Sequence, residues 1–232
     1  MAERPTAGWK SAPAPARHAL LRVKIEAWAA LLENRPDLSD KAILVEWAAL
    51  SRPLVVRRRG SGDWGDAIAA GIPLPPSQGK LRVAVALAPS SISSVGPPLL
   101  LASSRTAAPA AWLKTVDAVL DLGARVGIDP RVFGSFAWAA LTGLDYVSAS
   151  SDLDLLWAVS PETDFDALLQ GLARIEAAAP GRLDGELINA KTGMAANWRE
   201  LHSGADQILV KSLEGVALQP ASVFLHALET LA

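Results

Sequence analysis

The sequence predicts an α/β (α+β) fold in two parts, a small N-terminal α/β module and a mixed-sheet domain with flanking helices. Three observations carry this. Strand-like and helix-like segments alternate along most of the chain, the pattern that builds layered α/β architectures. With 232 residues, 50% hydrophobic and 20% charged, and a mean hydropathy of +0.24, the chain has ample apolar surface for one large domain or two small ones. Charge is divided: residues 1–110 hold 14 Lys and Arg against 8 Asp and Glu (+6), and residues 111–232 hold 8 against 16 (−8).

Residues 1–17, with Pro5, Pro13 and Pro15, read as a flexible tail. His18 to Val23 is short and apolar enough for a strand, and Ile25 to Glu33 sets Trp28, Leu31 and Leu32 at helical spacing. A second helix, Lys41 to Leu50, follows the cap-forming stretch 37–40. Pro53 to Arg58 reads as a strand opened by proline, which a first strand position tolerates. Eight glycines and prolines between 60 and 79 mark a loop, and Leu81 to Ala88 is a strand. The Pro/Ser/Ala-rich stretch 89–110 reads as a linker, giving modules of 18–106 and 107–232.

The second part alternates more regularly. Trp112, Val116, Val119 and Leu120 mark a helix, Arg131 to Phe133 a short strand, and Phe136 to Thr142 an apolar helix. Asp152 to Val159 is a strand, and Asp164 to Ala179 is a helix with Phe165, Leu168, Leu169, Leu172 and Ile175 on one face. Arg182 to Asn189 and Ile208 to Lys211 follow as strands, and Ser222 to Leu231 closes as a helix. No internal repeat is visible.

The chemistry-bearing stretch is 132–157, VFGSFAWAALTGLDYVSASSDLDLLW. Gly134-Ser135 lies between a strand and a helix. Glycine there allows close backbone approach, and the helix start offers free N–H groups and a positive dipole end, a seat for phosphate. Asp152 and Asp154 sit two apart at the start of an apolar strand, so both carboxylates fall on one face. Like charges so placed call for a cation between them, and oxygen ligands suit Mg²⁺ or Mn²⁺ shared with substrate phosphates. A third acid would come from the next strand, RLDGELI, which offers Asp184 and Glu186 on one face; Asp184 is the preferred candidate.

Gly-Ser, a helix, Asp-x-Asp on a strand and a later acidic strand together resemble the nucleotidyltransferase superfamily of the polymerase-β kind. More closely, the Gly-Ser, TGLDY and SDLDLL series is similar to the holo-acyl-carrier-protein synthase family of malonate decarboxylase, the phosphoribosyl-dephospho-CoA transferases. RHALL (17–21), RPLVVRRR (52–59), RLDGELI (182–188), NWRE (197–200) and ILVKS (208–212) agree with it, whereas 22–27 depart from the expected apolar strand and turn. The resemblance implies a nucleotidyltransferase-like catalytic domain that takes 2′-(5-triphosphoribosyl)-3′-dephospho-CoA. Its phosphoribosyl end would be joined to a serine of the malonate decarboxylase acyl-carrier subunit, with diphosphate leaving. It implies Asp152, Asp154 and Asp184 as metal-holding catalytic residues and Gly134 and Ser135 as the triphosphate seat. Lys211, and Arg57 and Arg58 within the run 57–59, are the candidate phosphate contacts, and the arginines equally fit steering of an acidic carrier. A different small nucleotidyltransferase using an ordinary NTP, or a non-catalytic carrier-binding factor, would share parts of this pattern.

Composition closes off other classes. The absence of cysteine excludes disulfides, thiolate zinc sites and thiol nucleophiles. The three histidines, His18, His202 and His226, are too scattered along the chain to suggest a site. No stretch approaches the roughly 18 apolar residues of a membrane span, and a pI near 5.9 without an aromatic-plus-basic stripe argues against nucleic acid. The N-terminus lacks an apolar signal core, which points to the cytoplasm.

Overall fold

The computed structural model describes residues 15–229 and resolves the alternating pattern into two sheets with helices packed on them. The first part comprises β1 (Leu20–Val23), α1 (Ile25–Glu33), α2 (Pro36–Ser39), α3 (Ala42–Val45), β2 (Leu54–Val56), β3 (Ile68–Pro73), β4 (Arg82–Leu87) and β5 (Ile92–Gly96). Its strands form an antiparallel sheet in the order β4-β3-β2-β1-β5. The second part comprises β6 (Leu99–Leu100), α4 (Leu101–Ser104), α5 (Leu113–Val126), β7 (Arg131–Val132), α6 (Gly134–Thr142), β8 (Leu153–Val159) and α7 (Phe165–Ala178). It continues through β9 (Leu183–Asn189), β10 (Ala195–Asn197), α8 (Trp198–His202), β11 (Gln207–Lys211), β12 (Val216–Pro220) and α9 (Ala221–Glu229). These strands run in the order β12-β11-β10-β9-β8-β7-β6. Among the described residues only β8 and β9 pair in parallel, joined by the crossover helix α7, whose first turn is capped by Asp164 accepting from the Ala167 N–H.

The mixed α/β reading therefore holds, with local differences. Residues 68–73, expected as loop, form a strand inside the first sheet. Ala69, Ala70 and Gly71 are poor strand formers, and pairing on both sides overrides their propensity. The stretch 89–110 is not a free linker: β5 pairs with β1, and Leu99 and Leu100 pair with β7 in the other sheet. The chain thus crosses between sheets within Pro97 and Pro98. The helix expected over 41–50 is helical only at Ala42–Val45, and a further short helix starts on Pro36. β10, α8 and β12 were not anticipated. Residues 1–14 of the expected tail lie outside the described residues, while Arg17 is anchored by an ion pair to Glu186 on β9. Among the described residues no helix is long and apolar enough to cross a membrane.

Helix α6 is apolar all round because it faces two cores. Phe136 and Ala137 belong to the core of the second sheet, whereas Trp138 joins that of the first, with its ring centroid 6.2 Å from that of Trp47. Tyr146, just beyond the helix, also packs in the first core and donates its hydroxyl to the Pro73 carbonyl at 2.9 Å. α6 therefore holds the two sheets in a fixed relation. Trp138→Ala is expected to lower the unfolding free energy by about 3–5 kcal/mol, read as a shift of the urea midpoint.

Candidate active site

The site is built where β7 gives way to α6. The Phe133 N–H donates to the Asp154 carbonyl at 3.1 Å, fastening this junction to β8. Gly134 follows with φ +64°, in the left-handed region that favours glycine. A Cβ at Gly134 would lie 2.7 Å from Asp154 Cγ and overlap a carboxylate oxygen, so only glycine lets this carboxylate sit on the backbone. No side chain caps α6, which leaves its first N–H groups available beside Ser135. The Gly-Ser and Asp-x-Asp motifs, separate in sequence, thus form one structure.

They open onto a cleft of about 740 Å³ between the two sheets. Gly134, Ser135, Asp152 and Asp154 of the second part line it together with Arg57, Lys80 and Arg82 of the first. Burial, the neighbouring carboxylates of Asp184 and Asp152, and the more distant Glu186 push Asp154 up to about 7, against a smaller opposing effect of Arg182. In this form the acid seeks a cation.

Asp184 stands directly opposite Asp154 in the parallel β8–β9 register. Its Oδ1 already accepts from the Gly185 N–H and Asn197 Nδ2, both at 2.9 Å, and from Arg199 Nη1 at 3.3 Å. Among the described residues no group of three or more His, Cys, Asp or Glu is gathered to enclose a metal ion. Asp152, Asp154 and Asp184 therefore do not form a closed three-carboxylate cage. Asp184 instead anchors the start of α8.

The basic candidates are placed differently from one another. Lys211 Nζ donates to Glu186 Oε1 at 2.8 Å and is held by that buried carboxylate rather than presented to the cleft. Arg57 lines the cleft but spends its guanidinium on Asp63, with bonds of 2.8 and 2.6 Å. Arg58 is exposed and is not part of the cleft lining; Arg59 is exposed and donates to the Gly65 carbonyl.

The sequence reading offered Glu186 beside Asp184 but preferred Asp184, and it missed His18, Lys80 and Arg82 as site residues. Glu186 is 4% exposed and is shared by Arg17, His18 and Lys211. Burial alone would raise it, but the hydrogen bonds from His18 and Lys211 and the charge of Arg17 outweigh burial and hold it down at about 2. His18 lines the cleft, as do Lys80 and Arg82. The RHALL segment was a signal for His18; nothing local distinguishes Lys80 or Arg82 from solvated strand-end charges.

Comparison with known proteins sets this geometry in context. Residues 16–98 match the family model described as the phosphoribosyl-dephospho-CoA transferase MdcG N-terminal domain, and residues 100–222 match the corresponding C-terminal domain. A phosphoribosyl-dephospho-CoA transferase of Bradyrhizobium diazoefficiens is 45% identical over 204 residues, covering 88% of this chain and 89% of that protein. One from Xanthomonas campestris pv. campestris is 39% identical over 204 residues (88% and 93%), and one from Xanthomonas axonopodis pv. citri is 38% identical over 213 residues (91% and 97%). No solved structure matches the chain. The cleft and these relatives define a transferase enzyme. Specifically, the chain belongs to the phosphoribosyl-dephospho-CoA transferase family.

The electrostatics at Asp154 have a measurable consequence. Folding raises this carboxyl from 3.8 to about 7, so without divalent cations its ionisation weakens the fold progressively as pH rises through that interval. Asp154→Asn keeps the shape and removes the charge. It is expected to raise the melting temperature by roughly 5 °C at pH 8 and to leave it unchanged near pH 4, as calorimetry in chelator-treated buffer would read.

Proposed function

We propose that this transferase moves the 2′-(5-phosphoribosyl)-3′-dephospho-CoA group from its triphosphate precursor to a serine of the malonate decarboxylase acyl-carrier subunit. The observation that carries the reading is the Asp154 carboxylate seated on Gly134 at an uncapped helix start, across a cleft from a cationic wall. That is the arrangement a polymerase-β-like nucleotidyltransfer requires: donors for phosphate oxygens on one side of the reacting phosphorus and acidic ligands on the other.

The steps follow from the residues. Ser135 and the first N–H groups of α6 take the triphosphate oxygens, while Lys80 and Arg82 neutralise charge from the opposite wall. The half-buried apolar side chains of Leu20, Val55 and Leu99 in the cleft lining accommodate the pantetheine arm. The serine oxygen attacks the α-phosphorus in line, an Oγ–P bond forms, and the bond to the β-phosphate oxygen breaks to release diphosphate. Asp152 and Asp154 fit a hard divalent ion that completes its shell with substrate oxygens and water, because they offer oxygen ligands and Asp154 lacks a counter-cation. Mg²⁺ or Mn²⁺ bound there would supply charge neutralisation for the leaving diphosphate. Exposed Arg58 and Arg59 lie on the first module, where they suit steering of an acidic carrier.

The test is a transfer assay with Mg²⁺, the triphosphoribosyl precursor and the apo carrier subunit, following carrier mass. The wild type is expected to add the prosthetic group, and Asp152→Asn with Asp154→Asn to slow transfer by at least about 10²–10³-fold. Transfer of an NMP from ATP or CTP in place of the prosthetic group would keep the site and overturn the substrate. Gly134→Ala is expected to abolish transfer while far-UV circular dichroism stays that of a folded protein, since the added methyl displaces the Asp154 carboxylate.

A further inference from the structure

His18 combines features that packing alone does not require. Among the described residues it is one of three non-glycine residues with positive φ, at +66°, a backbone strain that persists only where the surroundings enforce it. Its side chain is 12% exposed, its ring packs on Phe133 with centroids 4.8 Å apart, and it lines the cleft that Gly134, Ser135 and Asp154 share. Its Nε2 lies 3.2 Å from Glu186 Oε2. Glu186 also receives Arg17 and Lys211, so it is an ionised acceptor and the Nε2 position must carry the proton. With Nε2 committed, Nδ1 is the ring atom left to a ligand in the cleft, as an acceptor.

The carboxylates are poorly placed for the same task. Asp152 and Asp154 are assigned above to a divalent ion, and Asp184 Oδ1 already accepts from Asn197 and Arg199. We propose that His18 is the catalytic proton acceptor for the attacking serine hydroxyl, and that Glu186 is the positioning residue that sets its tautomer. This rests on the transfer reaction proposed above. As the serine oxygen bonds to the α-phosphorus, its proton passes to His18 Nδ1 and diphosphate leaves with the electron pair of the broken P–O bond. The imidazolium so formed is stabilised by Glu186 and returns its proton to solvent or to the departing diphosphate. The charged groups facing the ring are Arg17 from its own turn, Glu186 from β9 and Lys211 from β11. Burial lowers the His18 pKa, the Glu186 hydrogen bond partly opposes this, and Arg17 and Lys211 add to the lowering, so the ring is neutral and able to accept at pH 7.

The experiment has two arms on the full chain. In the first, His18→Ala is compared with wild type in the carrier transfer assay across pH. The expected result is a fall in kcat of about 10²-fold or more with KM nearly unchanged, loss of the acidic limb of the pH profile, and partial rescue by added imidazole. His18→Gln serves as the variant that keeps bulk and a donor to Glu186, and is expected to be as slow without being rescued. Rates within threefold of wild type, or a loss confined to KM with no rescue in the alanine variant, would overturn the proposal while leaving the transfer reaction standing. An inactive wild type would instead overturn the transfer reaction and the proton role with it. The second arm needs no activity: long-range proton–nitrogen NMR of the three histidines is expected to show His18 as the Nε2–H tautomer, with Glu186→Gln altering its titration. An Nδ1–H tautomer in the wild type would refute the proposal whatever the kinetics.

Discussion

The contact on which the rest of this molecule turns is the Asp154 carboxylate lying on the backbone of Gly134. It fixes where β8 sits relative to the start of α6, and so brings a pair of acids to the same few ångströms as an uncapped helix start. A residue with a Cβ at Gly134 would move one of these away. The left-handed conformation of Gly134 serves the same end, turning the chain from β7 into α6 so that the helix starts beside the Asp154 carboxylate. Burial and neighbouring negative charge then leave Asp154 short of a partner within the chain itself. A site that withholds a counter-charge from a carboxylate is prepared to take that charge from a ligand.

Two acids close to one another on the second sheet illustrate how environment separates roles. Asp154 is pushed up to about 7, whereas Glu186 is held at about 2 although it too is buried. The difference is the company each keeps: Asp154 has Asp184 and Asp152 beside it, and Glu186 has Arg17, His18 and Lys211. A buried ion cluster of this kind stabilises little by itself, since removing the charges from water offsets most of their attraction. What it confers is register. Arg17 and His18 precede β1 of the first sheet, Glu186 and Lys211 belong to the second, and the cluster ties the first module to the second sheet.

Much of this was legible in the chain, and the exceptions have physical causes. The strongly alternating β8 and β9 and the one-sided apolar face of α7 lie where periodicity places them, because each buries a face in one core. β3 was invisible because Ala69, Ala70 and Gly71 carry no strand signal; its structure comes from its neighbours. The short strands of 89–110 were hidden by prolines and serines that read as linker. At the site, Gly134, Ser135, Asp152 and Asp154 were readable because their spacing is local. The partnership of Arg17 and His18 with Glu186 spans about 170 residues, and no local pattern records it. Lys211 was visible as a buried-strand lysine, but a sequence does not show which anion neutralises it.

The uneven charge along the chain acquires a structural meaning from the cleft. Neither module encloses it alone: the first contributes Lys80 and Arg82 beside the Asp63-paired Arg57, and the second the aspartates and the helix start. A polyanionic substrate between these walls meets cations on one side, while on the other it meets acids that become favourable contacts only when a divalent ion bridges them. Such a division of labour works only if the walls keep a constant separation. Helix α6 secures that, because it lies in both cores at once and any sliding of the sheets would expose either Phe136 or Trp138. The helix proposed to offer its N-terminus to phosphate is thus also the element that holds the opposing cations at their distance. Binding geometry and interdomain rigidity are consequently two readings of the same nine residues.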